Sequence, residues 1–250
     1  MIEFAGRGIL LDIEGTTSSV SFVFEVMFPY VRRELNAFLA SRWRDPAVQD
    51  AVDKIARDAG QANAAAWLAS AQDDPAAQQD AAAQAIVIAE VTSQMDRDLK
   101  ATGLKALQGL IWDTGFRSGQ MKAHLYPEVL PALRAWKESG RDLRIYSSGS
   151  IQAQKLFFGH TEAGDLLSLF SGHYDTTIGG KREAPSYAAI AKDWGLAPSD
   201  ILFLSDVPAE LAAAKASGLQ VGLALRPGNA PVPPDHGFPA IASFAEVKLK

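Results

Sequence analysis

The chain of 250 residues contains no cysteine. This absence excludes a disulfide framework, a thiolate nucleophile, cysteine-ligated zinc and an iron–sulfur cluster, and it agrees with a reducing cytosol. The chain also lacks a long hydrophobic run. Its most apolar window, 81–91, is interrupted by Gln84 and Glu90 and is far shorter than the roughly 20 residues of a membrane-spanning helix. No secretory signal precedes the first apolar segment, so we expect a cytoplasmic protein without membrane association.

Long runs of lysine and arginine are absent as well. Lys and Arg number 24 against 29 Asp and Glu, which gives a formal net charge of −5. Such a chain lacks the electrostatic footprint of a nucleic-acid-binding protein, although it can still carry a local basic pocket for a small anion. The length indicates one large domain or a core with an insertion, since domains average roughly 150 residues.

Two kinds of site are disfavoured because their patterns are missing. The four histidines are scattered and form no i, i+4 pair, which argues against a histidine-built metal site. A serine hydrolase that uses Ser147 or Ser148 is also disfavoured, since no Gly-x-Ser-x-Gly motif is present.

Hydrophobic spacing divides the chain into two kinds of structure. Residues 8–11 form a short apolar run that ends at Asp12 and predicts a buried strand. From 22 to 121 the spacing is helical, as in the series Phe24, Phe28, Val31, Leu35 and Leu39, and no strand pattern of comparable strength occurs there. After 121, strands and helices alternate, which is typical of βαβ units in a parallel sheet. The predicted strands are 143–147, 174–178, 201–205 and 220–225, and the predicted helices are 127–139, 151–158, 185–194 and 208–217.

The expected fold is therefore α/β, a doubly wound (Rossmann-like) parallel sheet core interrupted after its first strand by an all-helical insertion. We assign 1–20 and 122–250 to the core and 21–121 to the insertion. Ligands of such sheets bind outside the carboxyl ends of the strands. The polar residues discussed next all follow predicted strands.

Asp12 and Glu14 follow the first strand and precede Gly15 and Thr16. In an extended segment the two carboxylates point the same way, and their repulsion requires a cation or a proton. Mg²⁺ suits them because it binds carboxylate oxygens and completes its shell with water and substrate phosphate. The alternative is an exposed acidic turn that caps the next helix.

Hydroxyl groups follow the second predicted core strand, in the segment Ser147-Ser148-Gly149-Ser150. Flexible backbone amides at a helix N-terminus favour phosphate binding, because the free N–H groups and the helix dipole attract anions. The alternative is an ordinary loop in which a serine caps the helix.

The third and fourth of these strands are followed by a cation and a carboxylate. Lys181 comes after Gly179-Gly180 and could neutralise a phosphate, although an exposed lysine is the alternative. Asp206 ends the strongly apolar run 201–205, with Glu210 four residues later, and its alternative role is to cap the following helix. Taken together, these strand ends supply what one phosphate site with a metal ion requires.

The order of these motifs resembles that of the haloacid dehalogenase superfamily of aspartate-nucleophile phosphatases, whose first motif is Asp-x-Asp-Gly-Thr. Here Glu14 replaces the second Asp, and Asp-x-Glu-Gly-Thr-Thr resembles the enolase-phosphatase (acireductone synthase) family of methionine salvage. Further matches occur along the chain. They are Phe28-Pro29-Tyr30, Leu107-Gln108-Gly109 with Trp112, Tyr146–Ser150, Gln154–His160, Leu202–Asp206 and Arg226-Pro227-Gly228-Asn229.

The resemblance implies a mechanism. Asp12 would attack phosphorus and form an aspartyl-phosphate, while Glu14 would protonate the leaving oxygen and then activate water. One magnesium ion per subunit would be held by Asp12, Glu14 and Asp206. In this superfamily the residue at the position of Glu14 often binds the metal through its backbone carbonyl. Ser147 and Lys181 would hold the phosphoryl oxygens.

The resemblance also implies a substrate. The reaction would convert 2,3-diketo-5-methylthiopentyl-1-phosphate to 1,2-dihydroxy-3-keto-5-methylthiopentene and phosphate, through enolisation and loss of phosphate. Ser148 and Gly149 would contact this small molecule, and the helical insertion would be a cap that contacts its tail through Phe22, Phe24 and Phe28. Thr16 and Glu210 are secondary candidates for the site.

Two other functions stay open. One is a generic Mg²⁺-dependent capped phosphatase of another small phosphomonoester, and the other is a non-catalytic phosphate-binding protein. Retention of Asp12, Lys181 and Asp206 argues against the second. We expect a monomer that binds no nucleic acid.

Overall fold

A computed structural model describes residues 1–73, 75 and 78–250. Its principal element is a parallel sheet of six strands. A separate parallel pair joins the first and last strands of the chain. The strands are β1 (Ile2–Phe4), β2 (Gly8–Leu11), β3 (Asp142–Tyr146), β4 (Gly172–Tyr174), β5 (Ile201–Ser205), β6 (Gln220–Ala224), β7 (Ala240–Ile241) and β8 (Val247–Leu249).

The six strands lie in the order β4-β3-β2-β5-β6-β7, so β2 is central and pairs with both β3 and β5. The direction of winding reverses between β2 and β5, and ligands of doubly wound sheets bind at this point. Every residue of β2 and of β5 is buried, as expected for continuous apolar runs covered on both faces. The predicted fold class is confirmed by this sheet.

Helices and loops connect the strands. Between β2 and β3, no strand of the six-stranded sheet occurs among the described residues. The α-helices are α1 (Val20–Phe22), α2 (Phe28–Arg42), α3 (Pro46–Asp58), α4 (Ala64–Trp67), α5 (Gln79–Asp96), α6 (Thr102–Arg117), α7 (Val129–Glu138), α8 (Ile151–Gly159), α9 (Ala184–Trp194) and α10 (Pro208–Ala216). A π-helix spans Val23–Met27, and 3₁₀ turns span Ala69–Asp73, Leu167–Leu169, Pro198–Asp200 and Phe244–Glu246.

The chain divides into two compact units. One comprises Met1–Glu25 and Lys122–Lys250 and contains both sheets, and the other comprises Val26–Met121 and is helical in its described part. The first core segment ends at Glu25 in the structure, whereas the sequence pattern predicts that it ends at residue 20. No helix among the described residues is long and apolar enough to cross a membrane.

Several predicted elements need correction. The strand predicted at 174–178 lies at Gly172–Tyr174, so Lys181 does not follow a strand directly but lies in the loop before α9. The strand at 220–225 is not the last, since β7 and β8 follow it. These two strands and β1 are too short, at two or three residues, for alternation to reveal them.

The predicted helical series beginning at Phe24 is also partly wrong. Phe24 is half exposed, whereas Phe22 and Met27 are buried. The π-helix Val23–Met27 explains the difference, because its i to i+5 hydrogen bonds shift the apolar face by one residue. The series resumes in α2, where Val31, Leu35 and Leu39 are buried as predicted.

Candidate active site

Asp12 lies directly after the central strand β2 and is 5% exposed. Its backbone N–H donates to the Leu204 carbonyl of β5, which ties this position to the neighbouring strand. One carboxylate oxygen accepts from the Ile13 N–H at 2.8 Å, and the other lies 2.8 Å from the Lys181 ammonium. Asp12 is therefore a buried carboxylate with both oxygens oriented, and not part of an exposed turn.

Lys181 joins two carboxylates. Its Nζ lies 2.8 Å from Asp12 Oδ2 and 2.8 Å from Glu210 Oε2, and its side chain is 8% exposed. Burial opposes the charged form, but the two carboxylates outweigh it and raise the pKa of Lys181 above the usual value. The Tyr187 hydroxyl donates to the Lys181 carbonyl at 2.6 Å and helps to hold the loop that contains Lys181. The alternative of an exposed lysine is excluded.

Asp206 follows β5 and extends the acidic group. Burial, and next the negative charge of Asp12, raise the pKa of Asp206 to about 7. It does not cap α10, whose N-cap residue is Val207. Glu210, on the first turn of α10, accepts from the Ser205 hydroxyl at 2.9 Å. Burial, followed by the charge of Asp12, raises its pKa to about 7.

Gly15 allows the first and fourth motifs to meet. Its φ of +69° is in the left-handed region, and a Cβ at this position would lie 2.3 Å from Asp206 Oδ2. Only glycine therefore permits the turn after Glu14 to pack against the Asp206 carboxylate. The close approach brings Asp12, Glu14 and Asp206 to one end of the sheet.

These residues fit a divalent cation. Asp206 is half-buried beside Asp12 and Glu14, and its pKa is raised first by burial and then by the charge of Asp12, so a cation between the carboxylates would relieve an electrostatic cost. Within the described part of the chain, no group of three or more His, Asp or Glu side chains is arranged to hold a metal ion. Mg²⁺ does not need one, because it is usually bound by one or two carboxylates, with water and substrate phosphate as the other ligands.

The loop after β3 carries serine hydroxyls, and hydrogen bonds hold its backbone. Ser147 is buried, and its Oγ accepts from the Gly149 N–H at 3.3 Å. Ser150 is the N-cap of α8 and accepts from the Ala153 N–H, as the alternative interpretation of this segment predicted. Ser148 is exposed. Gln154 holds the loop by donating to the Gly149 carbonyl at 2.9 Å.

The secondary candidates fall in different surroundings. Thr16 is buried, and its Oγ1 has no hydrogen-bond partner among the described residues. Phe22 is 7% exposed and packs edge-on against Phe157, and its contact with the substrate tail stays a prediction. Phe24 is exposed, and Phe28 stacks near Trp112 within the helical unit.

The site also contains residues to which the sequence patterns assigned no role. Arg226 and Asn229, far from the first strand along the chain, both donate to the backbone of the Gly15-Thr16 turn. Their sequence signals are the turn Arg226-Pro227-Gly228-Asn229 after a strand and the family resemblance of this segment, neither of which indicates a role. Tyr187, which supports Lys181, lies on α9 with no signal beyond helical spacing.

Comparison with known proteins places this geometry in a family. A family model for haloacid dehalogenase-like hydrolases matches residues 7–218. A protein named enolase-phosphatase E1 from Hahella chejuensis is 45% identical over 251 residues, covering 100% of this chain and 99% of the relative. The chain belongs to the enolase-phosphatase E1 family of haloacid dehalogenase-like hydrolases. An enolase-phosphatase E1 from Pseudomonas aeruginosa is 47% identical over 98% of this chain and 99% of its own.

Solved structures agree with this membership. The UTR4 protein of Saccharomyces cerevisiae is 34% identical, covers 96% of this chain and 99% of its own, and superposes with a TM-score of 0.74. CbbY from Rhodobacter sphaeroides, solved in complex with phosphate, is only 13% identical, covers 96% of each chain and has a TM-score of 0.56. The second comparison supports the fold alone. The resemblance to enolase-phosphatases read from the motifs is confirmed.

Proposed function

We propose that this protein is an enolase-phosphatase that converts 2,3-diketo-5-methylthiopentyl-1-phosphate to the acireductone 1,2-dihydroxy-3-keto-5-methylthiopentene and phosphate in methionine salvage. Identity of 45% to 48% over at least nine-tenths of the chain to proteins of that name supports the substrate. The observation that carries the phosphatase chemistry is the oriented Asp12 carboxylate, held beside Lys181 at the carboxyl end of the central strand.

Asp12 is the nucleophile of this proposal. Hydrogen bonding to the Ile13 N–H and the ion pair with Lys181 hold the carboxylate in one orientation, so little rotational freedom is lost on attack. A carboxylate oxygen of Asp12 forms a bond to phosphorus while the bond from phosphorus to the substrate oxygen breaks, which yields an aspartyl-phosphate. Water then attacks phosphorus, releases inorganic phosphate and restores the Asp12 carboxylate.

Glu14 moves the protons in both steps. It protonates the departing substrate oxygen and then removes a proton from the attacking water. Its position two residues after Asp12 in the same turn suits a group that serves the same phosphorus. Ser147, Ser148, Gly149 and Lys181 bind the phosphoryl group and the adjacent part of the substrate.

Asp12, Asp206 and the Glu14 backbone carbonyl would hold one Mg²⁺ per subunit. When bound, the metal neutralises charge on the phosphoryl group. Lys181 supplies the positive charge that this chain itself contributes at the site. Glu210, which accepts a hydrogen bond from Ser205, also lies 2.8 Å from the Lys181 ammonium and helps to hold it. The predicted cap is the helical segment 21–121, and Phe22, Phe24 and Phe28 stay predicted contacts of the substrate tail.

The proposal is tested by supplying the diketone phosphate and following enol absorbance and phosphate release together. We expect both signals, with enol product and phosphate formed in equal amounts. Phosphate without an enol product would favour the generic phosphatase, and neither signal from a folded protein would favour a phosphate-binding role. A matched assay with EDTA should lose both signals and recover them on addition of Mg²⁺.

Activity that chelation does not change would contradict the metal-assisted mechanism. Monomeric state and cytoplasmic location stay predictions. Gel filtration with light scattering measures the first.

A further inference from the structure

The turn after β2 is held through its carbonyl groups by residues from distant parts of the chain. Asn229 Nδ2 donates to the Gly15 carbonyl at 2.9 Å, and Arg226 Nε donates to the Thr16 carbonyl at 3.1 Å. The Tyr126 N–H donates to the next carbonyl, that of Thr17, at 3.1 Å. Successive peptide groups are thus fixed from outside the turn.

Arg226 is itself rigidly anchored. Its Nη1 donates to a carboxylate oxygen of Glu128 and to the Ala242 carbonyl, and its side chain is 3% exposed. The guanidinium lies 4.5 Å from the centre of the Tyr126 ring and 5.0 Å from that of Phe244. A guanidinium that lies against two aromatic rings and is paired with a carboxylate cannot shift without breaking several contacts. Its bond to the Thr16 carbonyl is therefore a fixed point.

Asn229 links the same turn to the core sheet. Its Nδ2 also donates to the Ala224 carbonyl at the end of β6, and its Oδ1 would lie 3.0 Å from a Cβ at Gly15. The side chain therefore spans from the end of a core strand to the Gly15 peptide. Because this peptide directly follows Glu14, its orientation sets the position of the Glu14 backbone.

The nucleophile is held mainly by the sheet and by Lys181, although Thr17 Oγ1 of the turn also donates to the Asp12 carbonyl at 3.3 Å. Asp12 is held by its N–H bond to Leu204, by its bond from Ile13 and by Lys181. Glu14 lies along the chain between Asp12 and the Gly15 carbonyl, which accepts a hydrogen bond from Asn229. Loss of the outer contacts should consequently displace Glu14 more than Asp12.

We propose that Arg226 and Asn229 are positioning residues that hold the Gly15-Thr16 turn so that Glu14 is placed for proton transfer to the leaving group. This inference rests on the acid–base role of Glu14 in the proposed function. It separates two parts of one catalytic turn, a nucleophile held by the sheet and Lys181 and a proton donor held by the Arg226–Asn229 turn.

Leaving-group dependence tests this inference, because a good leaving group departs without protonation. The quantity compared is kcat/KM, which reports the steps up to loss of the leaving group and not the later hydrolysis of the aspartyl-phosphate. Asn229→Ala should lower kcat/KM for an alkyl phosphomonoester by about 10- to 100-fold, a large part of the effect of general acid catalysis. For p-nitrophenyl phosphate the same variant should retain kcat/KM within about threefold of wild type. Asn63→Ala is the matched control, because Asn63 also makes a side-chain bond to backbone, in the helical unit. It should leave both rates unchanged.

Glu14→Gln provides the reference and separates the possible failures. It should show the same substrate dependence, and adding Asn229→Ala to it should cause no further loss. If Glu14→Gln lowers kcat/KM equally for both substrates, the role of Glu14 in protonating the leaving group is wrong and the proposed positioning role fails with it. If Glu14→Gln behaves as expected but Asn229→Ala lowers both rates equally, or the two losses multiply in the double variant, only the positioning role is wrong.

Two further variants address the chemistry of the contact. Asn229→Asp has nearly the same shape but turns an oxygen toward the Gly15 and Ala224 carbonyls, so it should lose at least as much alkyl phosphatase activity as Asn229→Ala. Arg226→Lys keeps the charge but not the planar fork, and it should show the same substrate dependence. Wild-type rates on the alkyl substrate in Asn229→Asp would overturn the proposal.

Discussion

Removal of the Lys181 charge should strongly destabilise the protein, because Lys181 is the shared partner of two buried carboxylates. Asp12 and Glu210 each lie 2.8 Å from its Nζ, and all three side chains are at most 10% exposed. Lys181→Met keeps most of the apolar stem and deletes the ammonium. Breaking a buried ion pair by removing one partner costs about 3–5 kcal/mol, so we expect the free energy of unfolding to fall by that amount.

A second substitution shows whether charge causes this loss. Glu210→Gln in the Lys181→Met background removes one uncompensated anion, and it should recover about 1–3 kcal/mol. Urea unfolding of the metal-free protein, followed by circular dichroism, measures each free energy. Lys155→Met is the control, since Lys155 is exposed and its loss should change stability by at most about 0.5 kcal/mol. A loss below about 1 kcal/mol in Lys181→Met, or no recovery in the double variant, would refute the reasoning.

The remaining predictions concern the nucleophile, the turn and the tyrosines. Asp12→Asn should lower the rate of phosphate release by at least about 10⁴-fold while the circular dichroism spectrum stays unchanged. Turnover within a few-fold of wild type would contradict the nucleophilic role of Asp12. Gly15→Ala should cost about 1–2 kcal/mol in backbone strain and, by displacing Asp206, weaken Mg²⁺ binding in calorimetry; unchanged affinity would contradict the packing described. All five tyrosines have raised pKa values, mainly through burial, with Tyr174 at about 12. The unfolded chain therefore loses its phenolic protons first, so stability should fall as pH rises above 10, and tyrosinate absorbance should develop with unfolding and not before it.

Sequence patterns predicted the parts of the fold that depend on continuous burial. The run 201–205 was located without error, because a fully buried strand of a parallel sheet is apolar at every position. The strand before Lys181 was misplaced, since the β-branched Thr176, Thr177 and Ile178 suggested a strand where the chain forms a loop. The observed strand, Gly172–Tyr174, contains glycine and histidine and gives no such signal.

Site residues were predictable where chemistry requires a rare side chain in a buried position. Asp12 and Lys181 met this condition, and the structure brings them into contact. Asp206, which is half-buried, was predictable because it directly follows the apolar run 201–205. Arg226 and Asn229 could not be found in this way, because they act on backbone carbonyls that any sequence provides. Only the three-dimensional fold shows that residues so far apart along the chain share a turn.

The central position of β2 has a consequence for synthesis of the protein on the ribosome. Gly8–Leu11 emerges before both of its neighbours, β3 and β5, which follow it by more than 100 residues and lie beyond residue 140. During that interval the helical segment can fold through local contacts, whereas the apolar strand has no partner and stays open to aggregation or chaperone binding. We therefore expect nascent chains to acquire helical structure well before phosphatase activity, which can begin only after β5 has left the exit tunnel.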